Sequence, residues 1–173
     1  MSSCCTPPDG DKSLDTLYPN CPSCDQPGQL VNEITPRHTL KGSLRKTLST
    51  TTDYHFCENP TCDTVYFNRD GEQIFTTEQL INRVTCKDPS PETPLCYCFK
   101  ITKGDALYEY QDSHQSSVLE VIEEKMGERS CFCDKSNPRG ICCTTEIKVW
   151  LKAKGIEGNE SPSTDSCCGS SCS

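Results

Sequence analysis

A helix-like segment of the chain lies between two cysteine groups, Cys96-Tyr-Cys98 and Cys131-Phe-Cys133-Asp-Lys-Ser-Asn-Pro-Arg-Gly-Ile-Cys142-Cys143. Residues two apart on a helix point in different directions, so both thiolates of a CxC motif favour a loop around a metal centre. Asn137-Pro138 and Gly140 predict a turn that folds the last cysteines back towards the first pair. Four thiolates arranged in this way suit an iron–sulfur cluster or zinc.

Length and cysteine content indicate a chain that needs more than a hydrophobic core. The 173 residues predict one ordinary domain or two small ones. The 16 cysteines are counted in the 33% hydrophobic content, so little other apolar material is left for a core. Small domains of this kind usually contain disulfides or metals.

The N-terminal sequence favours metals over disulfides. Residues 1–9 lack the basic start and the apolar run of a signal peptide, and no later window approaches the length of a membrane span. We therefore expect a cytoplasmic protein without membrane insertion. In the reducing cytosol, a cysteine-dense chain is expected to bind metal or to be redox-active.

Charge and motifs argue against two other function classes. The formal net charge of −8 disfavours a nucleic-acid partner, which needs a basic face, and is easier to reconcile with a cationic or soft-metal partner. His38 and His114 lie in polar sequence away from the cysteine motifs, and no GxSxG, HExxH or P-loop pattern occurs. We therefore predict that the protein is not an enzyme.

A further cysteine group lies nearer the N-terminus. Cys21-Pro-Ser-Cys24 and Cys57-Glu-Asn-Pro-Thr-Cys62 are each typical of a knuckle, a tight turn that directs two sulfur atoms towards one ion. Two knuckles together complete a tetrahedral four-cysteine zinc site. The alternative is that the four are inert buried thiols. His55 is a candidate substitute ligand, although we predict that it is an exposed strand residue.

Residues 19–88 are predicted to form a zinc-binding, β-rich lobe. An amphipathic helix is expected from Thr35-Pro36, because Leu40, Leu44 and Leu48 recur every four residues. The rest of the lobe is predicted to contain a β-hairpin, a helical turn and a closing strand, in residues 64–67 with 72–76, in 77–83 and in 84–87. A proline-rich linker, residues 89–94, is expected to end the lobe.

Residues 95–155 are predicted to form a small helical lobe around the other cysteines. Three helices are expected: one after an imperfect capping box, Thr102-Lys-Gly-Asp105, one from Ser117 to Gly127, and one after Cys143. Cys143 would then lie near a helix N-terminus, where the helix dipole favours a thiolate. The two ends of the chain are predicted to be flexible cysteine-containing tails, residues 1–18 and 156–173.

Four motifs occur in a characteristic order: Tyr54-His-Phe-Cys57, Cys62-Asp-Thr-Val-Tyr-Phe67, Cys96-Tyr-Cys98 and Asn137-Pro-Arg-Gly-Ile-Cys142-Cys143. Together they resemble the N-terminal region of the CopZ-type iron–sulfur metallochaperones, over residues 20–152. The resemblance implies an α+β protein, in which a small zinc-stabilised β-rich lobe precedes a small helical [2Fe–2S] lobe related to bacterioferritin-associated ferredoxin.

The resemblance also implies the ligands of each centre. The implied zinc ligands are Cys21, Cys24, Cys57 and Cys62, and the implied cluster ligands are Cys96, Cys98, Cys133 and Cys143. Spacing alone does not distinguish Cys133 from Cys131, or Cys143 from Cys142, and the family pattern makes that choice.

Three cysteines and two aromatic residues near the motifs are given supporting roles. Cys86, Cys131 and Cys142 are expected to be small buried residues or neighbours that tune the cluster, and Cys131 or Cys142 is also an alternative ligand. We expect Tyr97 and Phe132, each inside a CxC motif, to shield the cluster from water.

Members of the family are implicated in carrying copper to export machinery, and the cluster has been suggested to reduce Cu(II) to Cu(I). The resemblance implies a cytosolic soft-metal (copper) chaperone or resistance accessory, whose partner is a copper-exporting ATPase or a metal regulator. The chain departs from the best-known family architecture, because residues 153–173 are too short for a heavy-metal domain with a CxxC motif. The alternative is a [2Fe–2S] electron-transfer or redox-sensing protein with no copper role.

The C-terminal tail suggests a separate soft-metal site. Cys167, Cys168 and Cys172, with Cys4 and Cys5 from the other end, have thiol groups that suit Cu(I) or Hg(II). The alternative is a tail whose thiols have no single task.

Overall fold

The computed structural model describes residues 18–128 and 131–156. The sheet region, residues 18–88, contains four strands and one helix: β1 (Gly28–Val31), α1 (Ile34–Thr39), β2 (Tyr54–Cys57), β3 (Thr64–Asn68) and β4 (Ile74–Thr76). The helical region, residues 89–156, contains two short strands and four helices: β5 (Pro94–Cys96), β6 (Ile101–Thr102), α2 (Lys103–Ser113), α3 (Val118–Glu128), α4 (Cys133–Ser136) and α5 (Thr144–Ala153). None of the helices in the described ranges has the length and apolar character needed to cross a bilayer.

The sheet is antiparallel throughout, with the order β1-β2-β3-β4. The predicted hairpin is confirmed, because β3 and β4 pair with Tyr66 opposite Phe75 and Phe67 opposite Ile74. The mixed helix and sheet content also agrees with the α+β prediction at that level.

Both faces of the two central strands are buried. On one face Tyr54, Phe56 and Tyr66 contribute to the main apolar core of the sheet region. On the other face Phe67 packs with the cysteines of the two knuckles, and the His55 ring stacks on Phe67 with a centroid separation of 5.7 Å. The prediction that His55 is exposed is therefore wrong, because the alternating pattern of a strand predicts exposure only when one face meets water.

Two predicted elements of the sheet region differ in the structure. The helix begins as expected but ends at Thr39, because Leu40 adopts an extended conformation and forms a β-bridge with Leu80. A separate 3-10 turn, Leu44–Thr47, follows. Residues 84–87 form a turn, closed by a 3.0 Å hydrogen bond from Lys87 N to Val84 O, so the predicted closing strand is absent there.

The helical region packs its helices around one apolar core, which includes Leu95, Ile122 and Ile147. The predicted capping box is present: Asp105 N donates to Thr102 Oγ1 at 3.1 Å, and Asp105 Oδ2 accepts from Thr102 N at 2.8 Å. Helix α3 extends to Glu128, so the expectation that Gly127 ends it is wrong. Helix α4 was not predicted, since four residues are too few to show a period.

Helix α4 and the loop between α4 and α5 attach the helical region to the sheet region. Thr35 Oγ1 donates to the carbonyl of Asp134 at 2.7 Å, and Tyr66 Oη donates to the carbonyl of Pro138 at 2.7 Å. Gly140 lies against Thr35 with φ +69°, and a Cβ atom there would lie 2.7 Å from Thr35 Oγ1. The loop that carries the later cysteines is therefore fixed to the sheet at several points.

Candidate metal centres

The first quartet consists of Cys21, Cys24, Cys57 and Cys62, which the structure brings together from two tight turns. The first turn is closed by hydrogen bonds from Cys24 N and Asp25 N to Cys21 O. Cys57 ends β2, and the turn after it is closed by a 3.2 Å hydrogen bond from Cys62 N to Asn59 O. The two knuckles therefore bring their four sulfur atoms together.

The distances within the first quartet fit a tetrahedral zinc ion. Cys21 Sγ lies 4.0 Å from Cys62 Sγ, Cys24 Sγ lies 3.6 Å from Cys57 Sγ, and all four sulfur atoms lie within 4.8 Å of one another. A Zn–S distance of about 2.3 Å places tetrahedral sulfur atoms about 3.8 Å apart. Little rearrangement is needed to hold one ion.

The thiols of the first quartet differ in acidity. Burial raises the pKa of Cys21 and of Cys57. Burial also acts on Cys24, but hydrogen bonds from the backbone of Gln26, the side chain of Asn59 and the neighbouring thiols outweigh it and lower its pKa to about 7. Metal binding at neutral pH must therefore displace protons from the more buried thiols.

Lys87 supports the second knuckle. Its Nζ donates to the carbonyl oxygens of Asn59 and Cys62, at 2.6 and 2.9 Å. Its positive charge also acts against the raised pKa of the Cys57 thiol. Lys87 therefore holds the turn closed and offsets part of the thiolate charge, a role that no sequence pattern indicated.

The second quartet consists of Cys96, Cys98, Cys133 and Cys143, which come from four different segments of the helical region. Cys96 ends β5, Cys98 lies in the turn that follows, Cys133 begins α4, and Cys143 caps α5 as predicted. All except the half-buried Cys98 are buried. The apolar core of the region packs around them.

The sulfur atoms of the second quartet are arranged as a ring. Cys98 Sγ lies 3.5 Å from Cys133 Sγ, and the thiols of Cys96 and Cys133 each interact with those of Cys98 and Cys143. In the described part of the chain, only the first quartet brings three or more ligand atoms all within 4.8 Å of one another. The sulfur atoms of the second quartet are therefore spaced more widely than those of a single-ion site.

Protons are shared unequally around this ring. Hydrogen bonds from Cys133 and then from Cys96 lower the pKa of Cys98 to about 2 and that of Cys143 to about 4. The same hydrogen bonds raise the pKa of Cys96 and of Cys133. Cys98 and Cys143 therefore lose their protons to a metal centre more readily than Cys96 and Cys133 do.

Cys98 has further hydrogen-bond partners on its exposed side. Ser136 Oγ lies 3.1 Å from Cys98 Sγ, and the backbone N–H of Phe132 donates to the same sulfur atom at 3.4 Å. Ser136 was not predicted as a site residue, although its position three residues after Cys133 would have placed both on one side of a short helix.

The other cysteines lie at the edges of these sites. Cys142 is exposed, with its sulfur 3.2 Å from Thr144 Oγ1, and Cys131 is half-buried against the helical core. Cys86 is half-buried beside the sheet core, and burial raises its pKa to about 11. The tail cysteines named above, Cys4, Cys5, Cys167, Cys168 and Cys172, lie outside the described residues.

The two aromatic residues inside the CxC motifs have different environments. Tyr97 is buried, and its hydroxyl donates to Arg83 O at 2.9 Å and accepts from Thr85 N at 3.0 Å. Phe132 is 48% exposed. The buried environment of Tyr97 suits the predicted packing role, whereas half of the Phe132 surface faces solvent.

Comparison with known proteins agrees with the resemblance in the sequence. Residues 18–81 match the family described as the zinc-binding domain of CopZ. The copper chaperone CopZ of Archaeoglobus fulgidus is 28% identical over 123 residues, which are 71% of this chain and 57% of that protein. The chain therefore aligns with little more than half the length of that relative.

A solved structure extends the comparison to the fold. The X-ray structure of the Archaeoglobus fulgidus CopZ N-terminal domain matches with a TM-score of 0.62 and 26% sequence identity, over 80% of this chain and 98% of that domain. The match includes both the sheet region and much of the helical region. Residues 18–81 are therefore similar to a zinc-binding domain family, and the chain has the fold of the CopZ N-terminal domain.

Proposed function

We propose that the chain is a soft-metal chaperone or resistance accessory with two metal centres, a structural zinc ion and a [2Fe–2S] cluster. The first quartet holds the zinc ion, and the second quartet holds the cluster. The observation that carries the proposal is the difference between the two quartets. The four sulfur atoms of the first are close enough for one ion, whereas those of the second are spaced more widely and three of its four cysteines are buried.

The second quartet suits an iron–sulfur cluster for three reasons. It consists of four thiols, the ligand set of a [2Fe–2S] centre. Three of the four are buried in an apolar core, which excludes water. The fourth, Cys98, is half-buried, so one side of the ring lies near the surface, and its sulfur accepts a hydrogen bond from Phe132 N.

Copper is the cargo that we propose for this chain. The relative from Archaeoglobus fulgidus is named a copper chaperone, and Cu(I) prefers soft thiolate ligands. When bound, a [2Fe–2S] centre supplies one electron at a time, which suits the conversion of Cu(II) to Cu(I). An approaching ion can reach the half-buried Cys98 and the exposed Cys142. We propose a copper-exporting ATPase or a metal regulator as the receiving partner.

An electron-transfer or redox-sensing protein is the second candidate function. It is favoured by the same exposed edge, because a ligand near the surface shortens the distance to a partner's redox centre. In that case zinc stabilises the sheet region, and copper has no role.

Anaerobic purification with metal analysis and a visible spectrum tests the proposal. We expect about two irons and about one zinc per chain, with the absorption of a [2Fe–2S] centre. The neighbouring cysteines offer a matched pair: Cys143→Ser is expected to abolish iron binding, whereas Cys142→Ser should keep it. Zinc without iron, or equal iron loss in both variants, would contradict the cluster assignment.

Titration with Cu(I) against a competing chelator separates the two candidate functions. Uptake of Cu(I) beyond zinc and iron supports the chaperone. No uptake, together with electron exchange with a reductase, supports the electron carrier. Changing Cys167, Cys168 and Cys172 to serine shows whether the C-terminal cysteines contribute to Cu(I) binding.

A further inference from the structure

Arg139 connects the loop of the second quartet to the first quartet. It lies between Cys133 and Cys143, and its Nη2 forms an ion pair with Glu58, the residue directly after Cys57. The same nitrogen donates to Gln29 Oε1 at 3.3 Å. Gln29 lies on β1 and Glu58 lies in the second knuckle, so the guanidinium of Arg139 contacts the sheet region beside the first quartet.

A second carboxylate, that of Glu146, lies within the electrostatic influence of Arg139. Glu146 lies in the first turn of α5, three residues after Cys143. Burial raises the pKa of Glu146, and the charge of Arg139 opposes that rise. Arg139 Nε and Glu146 Oε1 are both buried and have no hydrogen-bond partner among the described residues.

Arg139 therefore pairs with one acidic side chain and acts electrostatically on another, and each is close in sequence to a cysteine of a different quartet. Asp134 and Pro138, which precede Arg139 in the chain, contact other parts of the sheet region. Thr35 binds the carbonyl of Asp134 and Tyr66 binds the carbonyl of Pro138, and neither belongs to a knuckle. The contact of Arg139 is thus the one described hydrogen-bonded link from this loop to a knuckle residue.

We propose that Arg139 couples the two quartets, so that metal binding at the first quartet fixes the positions of Cys133 and Cys143 in the second. The inference rests on the proposed zinc assignment. A metal ion bound to Cys57 fixes the second knuckle and therefore the position of Glu58. Glu58 fixes the guanidinium of Arg139 through the ion pair, and Arg139 in turn fixes the loop between Cys133 and Cys143. Because coupling between sites is reciprocal, an ordered second quartet also strengthens metal binding at the first.

Cysteine alkylation measures this coupling without relying on the cluster. The full chain is freed of iron, prepared with and without zinc, and treated with N-ethylmaleimide, and the rates at Cys133 and Cys143 are followed by peptide mass spectrometry. We expect zinc to slow alkylation of both thiols by at least about fivefold, the lower end of typical coupling between sites. In Arg139→Met, which keeps the length of the side chain but not its charge, zinc should have little effect at these two positions.

Two further variants separate coupling from general destabilisation. Tyr66→Phe removes a contact between the regions without touching a knuckle, and should keep the zinc effect. Glu58→Gln should weaken it, and adding Glu58→Gln to Arg139→Met should cause no further loss, because both act on one interaction. A zinc effect that is equal in Arg139→Met and the unaltered chain, within a factor of about two, would overturn the coupling.

The result also distinguishes this inference from the proposed function. A chain that binds no zinc at the first quartet would refute both the zinc assignment and the coupling. A zinc-loaded chain without any protection of Cys133 and Cys143 would refute the coupling alone. The iron content of the same protein before treatment tests the cluster assignment independently.

Discussion

Replacing Tyr66 with phenylalanine tests how the loop of the second quartet is attached to the sheet. Tyr66 is fully buried, its hydroxyl donates to Pro138 O at 2.7 Å, and Thr39 Oγ1 lies 2.8 Å away. A hydrogen bond contributes about 1 kcal/mol, and a buried acceptor left without a partner costs about 1–3 kcal/mol. Tyr66→Phe removes one oxygen and leaves the Pro138 carbonyl unpaired, so we expect a loss of about 2 kcal/mol.

Thermal unfolding of the metal-loaded protein measures this change. For a chain of this size, about 2 kcal/mol lowers the melting temperature by about 4–8 °C, provided that the metal content of the two proteins is equal. Tyr108→Phe is the matched control, because Tyr108 is 76% exposed and should be insensitive to the change. A loss below about 0.5 kcal/mol in Tyr66→Phe would refute the reasoning, since that is the range of ordinary surface substitutions.

Three other perturbations follow from the site and the sheet. Zinc affinity, measured with a competing chelator, should fall as the pH decreases because protons compete for the thiolates, and the fall should steepen below pH 7 as Cys24 takes up a proton. Ser136→Ala removes the hydroxyl that lies 3.1 Å from the Cys98 sulfur. Voltammetry should then show a reduction potential of the proposed cluster that is lower by up to about 60 mV, the one-electron equivalent of about 1.4 kcal/mol. An unchanged potential would contradict a hydrogen bond to that sulfur. Gly28→Ala places a Cβ 2.4 Å from the Phe67 ring and should cost about 1–3 kcal/mol in urea unfolding, whereas Gly42→Ala, with open space around it, should not.

The features that local sequence determines were predictable. The turn residues and the strand-forming residues on each side were enough to predict the β3–β4 hairpin, and the polar side chains of Thr102 and Asp105 were enough to predict the start of α2. The spacing of Cys21, Cys24 and their partners likewise predicted a group that the structure brings together. In each case the residues that form the feature are close in sequence or repeat a known spacing.

Features that depend on distant partners were not predictable. The helix that begins at Ile34 is shorter than its leucine period suggests, because Leu40 pairs with Leu80 instead of continuing the helix. His55 is buried because the knuckles cover its face of the sheet, and the sequence of its own strand does not indicate that this face is covered. Thr35 and Tyr66, which fix the loop of the second quartet, show no pattern in the sequence, since their partners lie far away in the chain.

The helical period of α5 explains why Cys143 is buried and Cys142 is exposed, and this period can be recognised in the sequence. Cys143, Ile147 and Leu151 are spaced by four residues, so they share one face of α5, and all three are buried. Cys142 precedes this series by one residue and is exposed. Because Cys143 lies on the same face as the apolar residues that α5 packs on the core, its sulfur is directed inward. A helical period does not distinguish Cys131 from Cys133 in the same way, because α4 begins only at Cys133. These two cysteines differ instead in the folded chain, where Cys133 is buried and Cys131 is half-buried.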